Sequence, residues 1–377
     1  MNLDVREAIE DDDESLLEID VTDPPATAEV GAAPRWLADL RGSNGKGFYH
    51  SLGDYALVFA DRDSEHLLVS FDNLSSARDD TLGRDPWGYS FVAKNGWSQL
   101  GVMAFVPGWF RDEALFDELH RLAESGFFRR FRSVTLTGTS MGGYAACAFA
   151  SLVPGCRVIA FSPQSTLMKD LVPWERRFSS GRKADWSGRF VDAPSECAAA
   201  SKVWLVYDPH FEPDVSHVDR FKAANTIRLP ARHAGHKSAL FLRRAGVLST
   251  IMREAIQDEL TPTSFFRSCR EGRKLPWYVN GLAEQLMERG NGRLLARLIE
   301  WLRNAELRGQ ARNIEKRAAD AGLLKAPKGQ GKRKAKKTQH DLPIHAEKSR
   351  AADLPVEQRG HDSEALRPWQ EKQAPSI

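Results

Sequence analysis

Ser140 stands in Gly138-Thr139-Ser140-Met141-Gly142, a G-x-S-x-G pattern. A serine hydroxyl is a weak nucleophile at neutral pH and needs an adjacent base. Histidine suits that task, because its ordinary pKa lies near neutrality. The base in turn needs a carboxylate that fixes its tautomer and stabilises the imidazolium. Downstream, His236 follows Gly235 and opens a predicted helix, whereas His233 reads as a neighbouring or surface residue and His210 and His217 as solvated ones. The acid has three candidates. Asp208, at the end of a predicted strand, comes first; Asp214 and Glu212 are alternatives a few residues further on. Asp208 also precedes Pro209, and Asp favours turns on its own account. Together these side chains would support acyl transfer through a covalent ester on Ser140.

Such a constellation needs elements that expose it. Ser133-Val134-Thr135-Leu136-Thr137 is β-branched and apolar, as a buried strand would be. Ala145-Ala146-Cys147-Ala148-Phe149-Ala150 has helix-forming composition. Gly138 and Gly142 permit a turn between them too tight for larger side chains. The helix start presents free N–H groups to developing negative charge. A strand–turn–helix is the context that gives the short pattern meaning. A phosphate-binding loop would end in Lys-Ser or Lys-Thr, and neither follows. A packing turn without chemistry is the other reading.

The flanking chain alternates strands and helices. Asp54–Ala60 and His66–Phe71 read as strands, and their short spacing predicts an antiparallel hairpin. Leu100–Val106, Arg157–Ser162, Val203–Tyr207 and Thr226–Pro230 are further strands. Arg111–Ser125 is helical, with Leu115, Leu119 and Leu122 on one face. This alternation predicts an α/β fold with a mostly parallel central sheet and helices on both faces. Residues 164–200 break the rhythm and read either as a lid or as a surface excursion.

The composition divides the 377 residues further. Residues 1–45 are acidic, then rich in Pro, Ala and Thr, and read as mostly disordered. The α/β domain spans 46–258, a helical extension 259–322, and a basic tail 323–377. In the extension, Tyr278–Arg289 and a segment from Arg293 to about residue 319 read as two helices. Leu294, Leu295, Leu298, Ile299 and Leu302 form a stripe that packs on a neighbour or on a homodimer partner. The run Lys332-Arg333-Lys334-Ala335-Lys336-Lys337 suits a solvated tail or weak contacts with RNA and other polyanions. A net charge of only +2 gives the whole chain no nucleic-acid signature. Four cysteines show no paired or metal-binding spacing, and no metal or organic cofactor is implied. No signal peptide or membrane span is expected, which points to a cytoplasmic protein acting on a small acyl substrate.

From about Gly47 to Arg253 the chain resembles the α/β-hydrolase superfamily of serine hydrolases and acyltransferases. The resemblance rests on Gly138-Thr139-Ser140-Met141-Gly142-Gly143 and on Ala234-Gly235-His236. It implies a nucleophile at Ser140, a base at His236 and an oxyanion hole that includes the Met141 N–H. The loop after the third strand would supply a second N–H, from Asn73 or Leu74. Family members commonly carry His-Gly there, where this chain has Phe71-Asp72-Asn73. The Ser-Met-Gly-Gly turn is also similar to that of acyltransferase-like members acting on glycoconjugates. The expected function is a serine hydrolase acting on an ester or thioester. The alternatives are an acyltransferase using the same acyl-enzyme, or a non-catalytic scaffold with this fold.

Overall fold

A computed structural model describes residues 34–42, 46–79 and 83–324. In chain order they form α1 (Arg35–Gly42), β1 (Gly47–Ser51), β2 (Tyr55–Ala60), β3 (His66–Phe71), α2 (Tyr89–Lys94), β4 (Ser98–Ala104) and α3 (Glu113–Glu124). Then come β5 (Ser133–Thr139), α4 (Met141–Ala148), β6 (Arg157–Phe161), α5 (Ala193–Glu196), β7 (Lys202–Tyr207), α6 (Glu212–Val218) and β8 (Thr226–Pro230). Five helices follow: α7 (Ser238–Arg244), α8 (Leu248–Ile256), α9 (Pro262–Cys269), α10 (Pro276–Glu288) and α11 (Gly292–Asn304), with α12 (Arg308–Asp320) after them. The basic run at 332–337 and residues 1–33 lie outside the described residues, while within the N-terminal segment expected to be mostly disordered, Arg35–Gly42 forms α1 with Trp36 buried.

The strands make one eight-stranded sheet in the order β1-β2-β4-β3-β5-β6-β7-β8. β1, β2 and β4 pair antiparallel, and every pairing from β4–β3 to β7–β8 is parallel. The inner strands are apolar almost throughout because both faces are covered. Alternate residues go to opposite sides. Leu67, Val69, Phe71, Val158, Ala160, Val203 and Leu205 join a core with α3 and α4. Leu68, Ile159, Phe161, Trp204 and Val206 join a second core with α7 and α8.

The expected hairpin between β2 and β3 is not formed. β4 lies between them, antiparallel to β2 and parallel to β3. The five-residue connection crosses the start of β4, where Arg62 donates from its backbone to Ser98 Oγ (3.0 Å) and from its guanidinium to the Trp97 carbonyl (3.0 Å). Short spacing thus spans one intervening strand. The long second helix of the extension is also interrupted, between α11 and α12, where Glu306 adopts φ 62°. No Gly or Pro marks that break. Leu295, Ile299 and Leu302 pack inside the chain on Val279, Ala283, Leu286, Ala311, Ile314 and Ala318. Among the described residues, no helix is long and apolar enough to cross a membrane.

The sheet order reverses beside β5: β3 leads to β4 on one side, and β5 leads to β6 on the other. The carboxyl ends of parallel strands at such a reversal form a natural crevice. Ser140 sits at the C-terminal end of β5, in that position.

Candidate active site

Ser140 links β5 to α4 with φ 50° and ψ −116°. A non-glycine residue held there stores of order 1–3 kcal/mol, which the surroundings must over-determine. Three observations show how. The Ser140 N–H donates to the Phe161 carbonyl at the end of β6 (2.9 Å). A side chain at Gly138 would run into the backbone of Gly142. A side chain at Gly142 would run into the carbonyls of Phe71 and Asp72. The two glycines therefore let α4 fold back tightly and let the loop after β3 lie against the turn.

Ser140 Oγ–H donates to His236 Nε2 at 2.9 Å. The opposite nitrogen, Nδ1, donates to the carboxylate of Asp214, with both oxygens at 2.9 Å. Ser140 is 5% exposed, the His236 side chain 17% and Asp214 0%, so the acid end of the line is the most deeply buried. Burial by itself would push the Asp214 carboxyl up. His236 and Arg177 outweigh it and hold the carboxyl below its ordinary range. The rings of Phe178 and Phe211 flank His236, with centroids at 6.0 and 6.1 Å.

The carboxylate at His236 is thus Asp214, not Asp208. Asp208 accepts from the N–H of His210 (2.9 Å) and of Gly235 (2.8 Å). It holds the chain next to His236 without reaching the ring. Glu212 is exposed in the first turn of α6. Asp214 lies two residues further along that helix and faces inward. His233, with φ 61°, stacks on His210 at 4.9 Å and packs against Gly281 of α10. Burial, aided by the neighbouring His210, lowers its pKa to about 4.

Near the turn, α4 begins at Met141, whose N–H belongs to a first turn without intrahelical acceptors. Asn73 Oδ1 accepts from the Ser76 N–H (2.8 Å), and the Asn73 carbonyl accepts from the Ala77 N–H (3.1 Å). The side chain of Asn73 therefore shapes its loop. Asp72, in the Phe71-Asp72-Asn73 stretch that departs from the His-Gly of the family pattern, is buried and ion-paired with Arg84 (2.7 Å). It also accepts from the Ala104 N–H (3.0 Å), which fastens the loop to β4.

The segment 164–200 contributes two side chains that sequence reasoning missed. Gln164, 0% exposed, has Oε1 at 3.4 Å from Ser140 Oγ. Arg177 donates to Asp214 (3.1 Å) and to Glu175 (2.6 Å). Behind them lies a second serine–histidine–carboxylate line. Ser165 donates from both its backbone N–H (3.1 Å) and Oγ (2.9 Å) to His217 Nδ1. His217 Nε2 donates to Glu175 (2.9 Å), and Arg220 donates to Ser165 Oγ (2.8 Å). Burial lowers the His217 pKa despite the adjoining carboxylate. Trp186 of the same segment is buried against Tyr144, with centroids 5.3 Å apart, while Trp174 lies edge-on to His217.

The strand order and the strand–turn–helix at Ser140 together decide the architecture. The fold is that of the α/β-hydrolases. No family model matches the sequence, and no curated protein matches it either. Among solved structures, an esterase of Pyrococcus furiosus is similar at 15% identity over 57% of this chain and 91% of its own, with a TM-score of 0.39. The capsule O-acetyltransferase of Neisseria meningitidis serogroup A is similar at 12% identity over 55% and 93%, with a TM-score of 0.38. A fluorophosphonate-binding serine hydrolase of Staphylococcus aureus is similar at 12% identity over 58% and 100%, with a TM-score of 0.35. At that distance these likenesses add nothing to the strand order itself.

Proposed function

We propose that the protein is a serine acyl hydrolase, acting on an ester or thioester through an acyl-enzyme on Ser140. The observation that carries this reading is the continuous hydrogen-bonded line Ser140–His236–Asp214, which begins at a strained turn on the carboxyl edge of the sheet. His236 accepts the Ser140 proton as Oγ attacks the carbonyl carbon. The tetrahedral oxyanion is held by the Met141 N–H and by an N–H of the Asn73–Leu74 loop. When the carbon–oxygen or carbon–sulfur bond to the leaving group breaks, His236 returns the proton to that group. A water molecule then attacks the ester carbonyl, again through His236, and releases the acid and free Ser140. Asp214 keeps His236 in the Nδ1–H tautomer throughout, so that Nε2 faces the hydroxyl.

Turnover of p-nitrophenyl acetate by the wild type, Ser140→Ala and His236→Ala tests the reading. Either substitution should lower kcat by about 10³-fold or more. Equal turnover by all three proteins would refute it.

A further inference from the structure

Gln164 is a wholly buried amide beside the proposed nucleophile, and its hydrogen bonds do not close. The single Ser140 hydroxyl proton is engaged by His236 at 2.9 Å, so the 3.4 Å approach to Gln164 Oε1 leaves the amide poorly satisfied. Among the described residues, Gln164 Nε2 has no partner at all. A buried amide group without a partner costs about 1–3 kcal/mol, and each one in a native fold calls for an explanation.

The surroundings hold this amide in place. Ser162, at the end of β6, takes φ 46°, and its N–H donates to the Val206 carbonyl (2.7 Å). Pro163 lies against Gly143 of α4. Ser165 is clamped on its other side by His217, through backbone and side chain together. Gln164 is therefore fixed from both neighbours, with Oε1 at 3.4 Å from Ser140 Oγ and Nε2, at the far side of the same amide, without a partner among the described residues.

We propose that Gln164 is a specificity-determining residue: its amide N–H₂ donates to a hydroxyl or other oxygen substituent of the substrate, close to the scissile ester. This rests on the acyl-enzyme reading above and deepens it. A purely alkyl group seated there would seal the N–H₂ away from any acceptor. A site built to hydrogen-bond an oxygen rejects the analogue lacking it. The substrate class is thus a hydroxyl-bearing ester, and a plain alkyl ester of the same size is the poorer substrate.

Glyceryl monoacetate and n-propyl acetate share the acetyl group and a three-carbon alcohol, and differ only in hydroxyls. The wild type should favour the glyceryl ester in kcat/KM by about tenfold or more. Gln164→Met, which keeps the shape and removes the amide, should lose about tenfold more in kcat/KM on the glyceryl ester than on the propyl ester. Absence of a preference in the wild type overturns the proposal without any variant. An unchanged preference in Gln164→Met overturns it too, whether both rates hold or both fall together. A wild type that hydrolyses neither ester, nor p-nitrophenyl acetate, refutes the acyl-enzyme reading itself and this role with it.

Discussion

Among the described residues, two serine–histidine–carboxylate lines have nearly equal bond lengths, and they differ in ring orientation, exposure and backbone setting. In Ser140–His236–Asp214, the imidazole faces the hydroxyl with Nε2 and the carboxylate with Nδ1. In Ser165–His217–Glu175 the ring is reversed: Nδ1 faces the serine and Nε2 the carboxylate. Ser165 also spends its backbone N–H on the ring and accepts from Arg220, and the His217 side chain is 0% exposed. Ser140 instead sits at a strained turn ahead of a helix start, and its His236 partner keeps 17% of its side chain exposed. Bond lengths within a triplet therefore do not define a nucleophile. Access, backbone strain and nearby N–H groups separate the two.

The inner line has a mechanical part. Glu175 receives His217 on one oxygen and Arg177 on both, and Arg177 reaches across to Asp214. His217 and Arg177 outweigh the effect of burial and hold the Glu175 carboxyl far below its ordinary range. The buried line thus supports the outer one at its acid and, through Ser165, beside Gln164.

Substitutions that strike one line and spare the other sharpen this contrast. The largest effect is expected at Asp214. Asp214→Asn should lower kcat by about 10⁴-fold, because the amide no longer selects the Nδ1–H tautomer. Glu175→Gln should act first on stability. Breaking a buried ion network by removing one partner costs about 3–5 kcal/mol, read as a lower midpoint in chemical denaturation. Asp208→Asn should cost about 1–3 kcal/mol through the Gly235 and His210 N–H groups, with a much smaller loss of kcat than Asp214→Asn. If Asp208→Asn proved the more damaging to kcat, the assignment of the acid would fail.

The smallest effect is one of pH. His217 has a folded pKa below its ordinary 6.5, so the unfolded chain binds the proton more readily. Its contribution to stability is whole above pH 6.5 and is lost as pH falls through the folded value. His233 adds to the same window, with a folded pKa of about 4. Glu175 and Asp214, lowered from 4.5 and 3.8, contribute above those values and lose that contribution in stronger acid. Denaturation midpoints should therefore fall below pH 6.5 and fall further below 4.5. His217→Gln should flatten the slope just below pH 6.5.

Legibility in the sequence followed the range of the cause. The turn at Ser140 is set by residues 138–143 and by the apolar strand before it, so it can be read locally. The meeting of Ser140 with His236 follows from two strand ends on one edge of a parallel sheet. The choice between Asp208 and Asp214 does not, because both lie near the end of β7. It depends on which carboxylate the Gly235 N–H takes, a contact 27 residues away. His217 reads as solvated from its neighbours, and only its pairing with Glu175, 42 residues earlier, makes it a core residue. Gln164 and Arg177 stand in a segment with no periodicity, where sequence offers no signal of what they face.

The decisive measurement is to treat the native protein with a fluorophosphonate and map the adduct by mass spectrometry. Modification of Ser140 alone, abolished in Ser140→Ala and retained in Ser165→Ala, is the predicted result. An adduct on Ser165, or labelling that survives Ser140→Ala, would contradict the account.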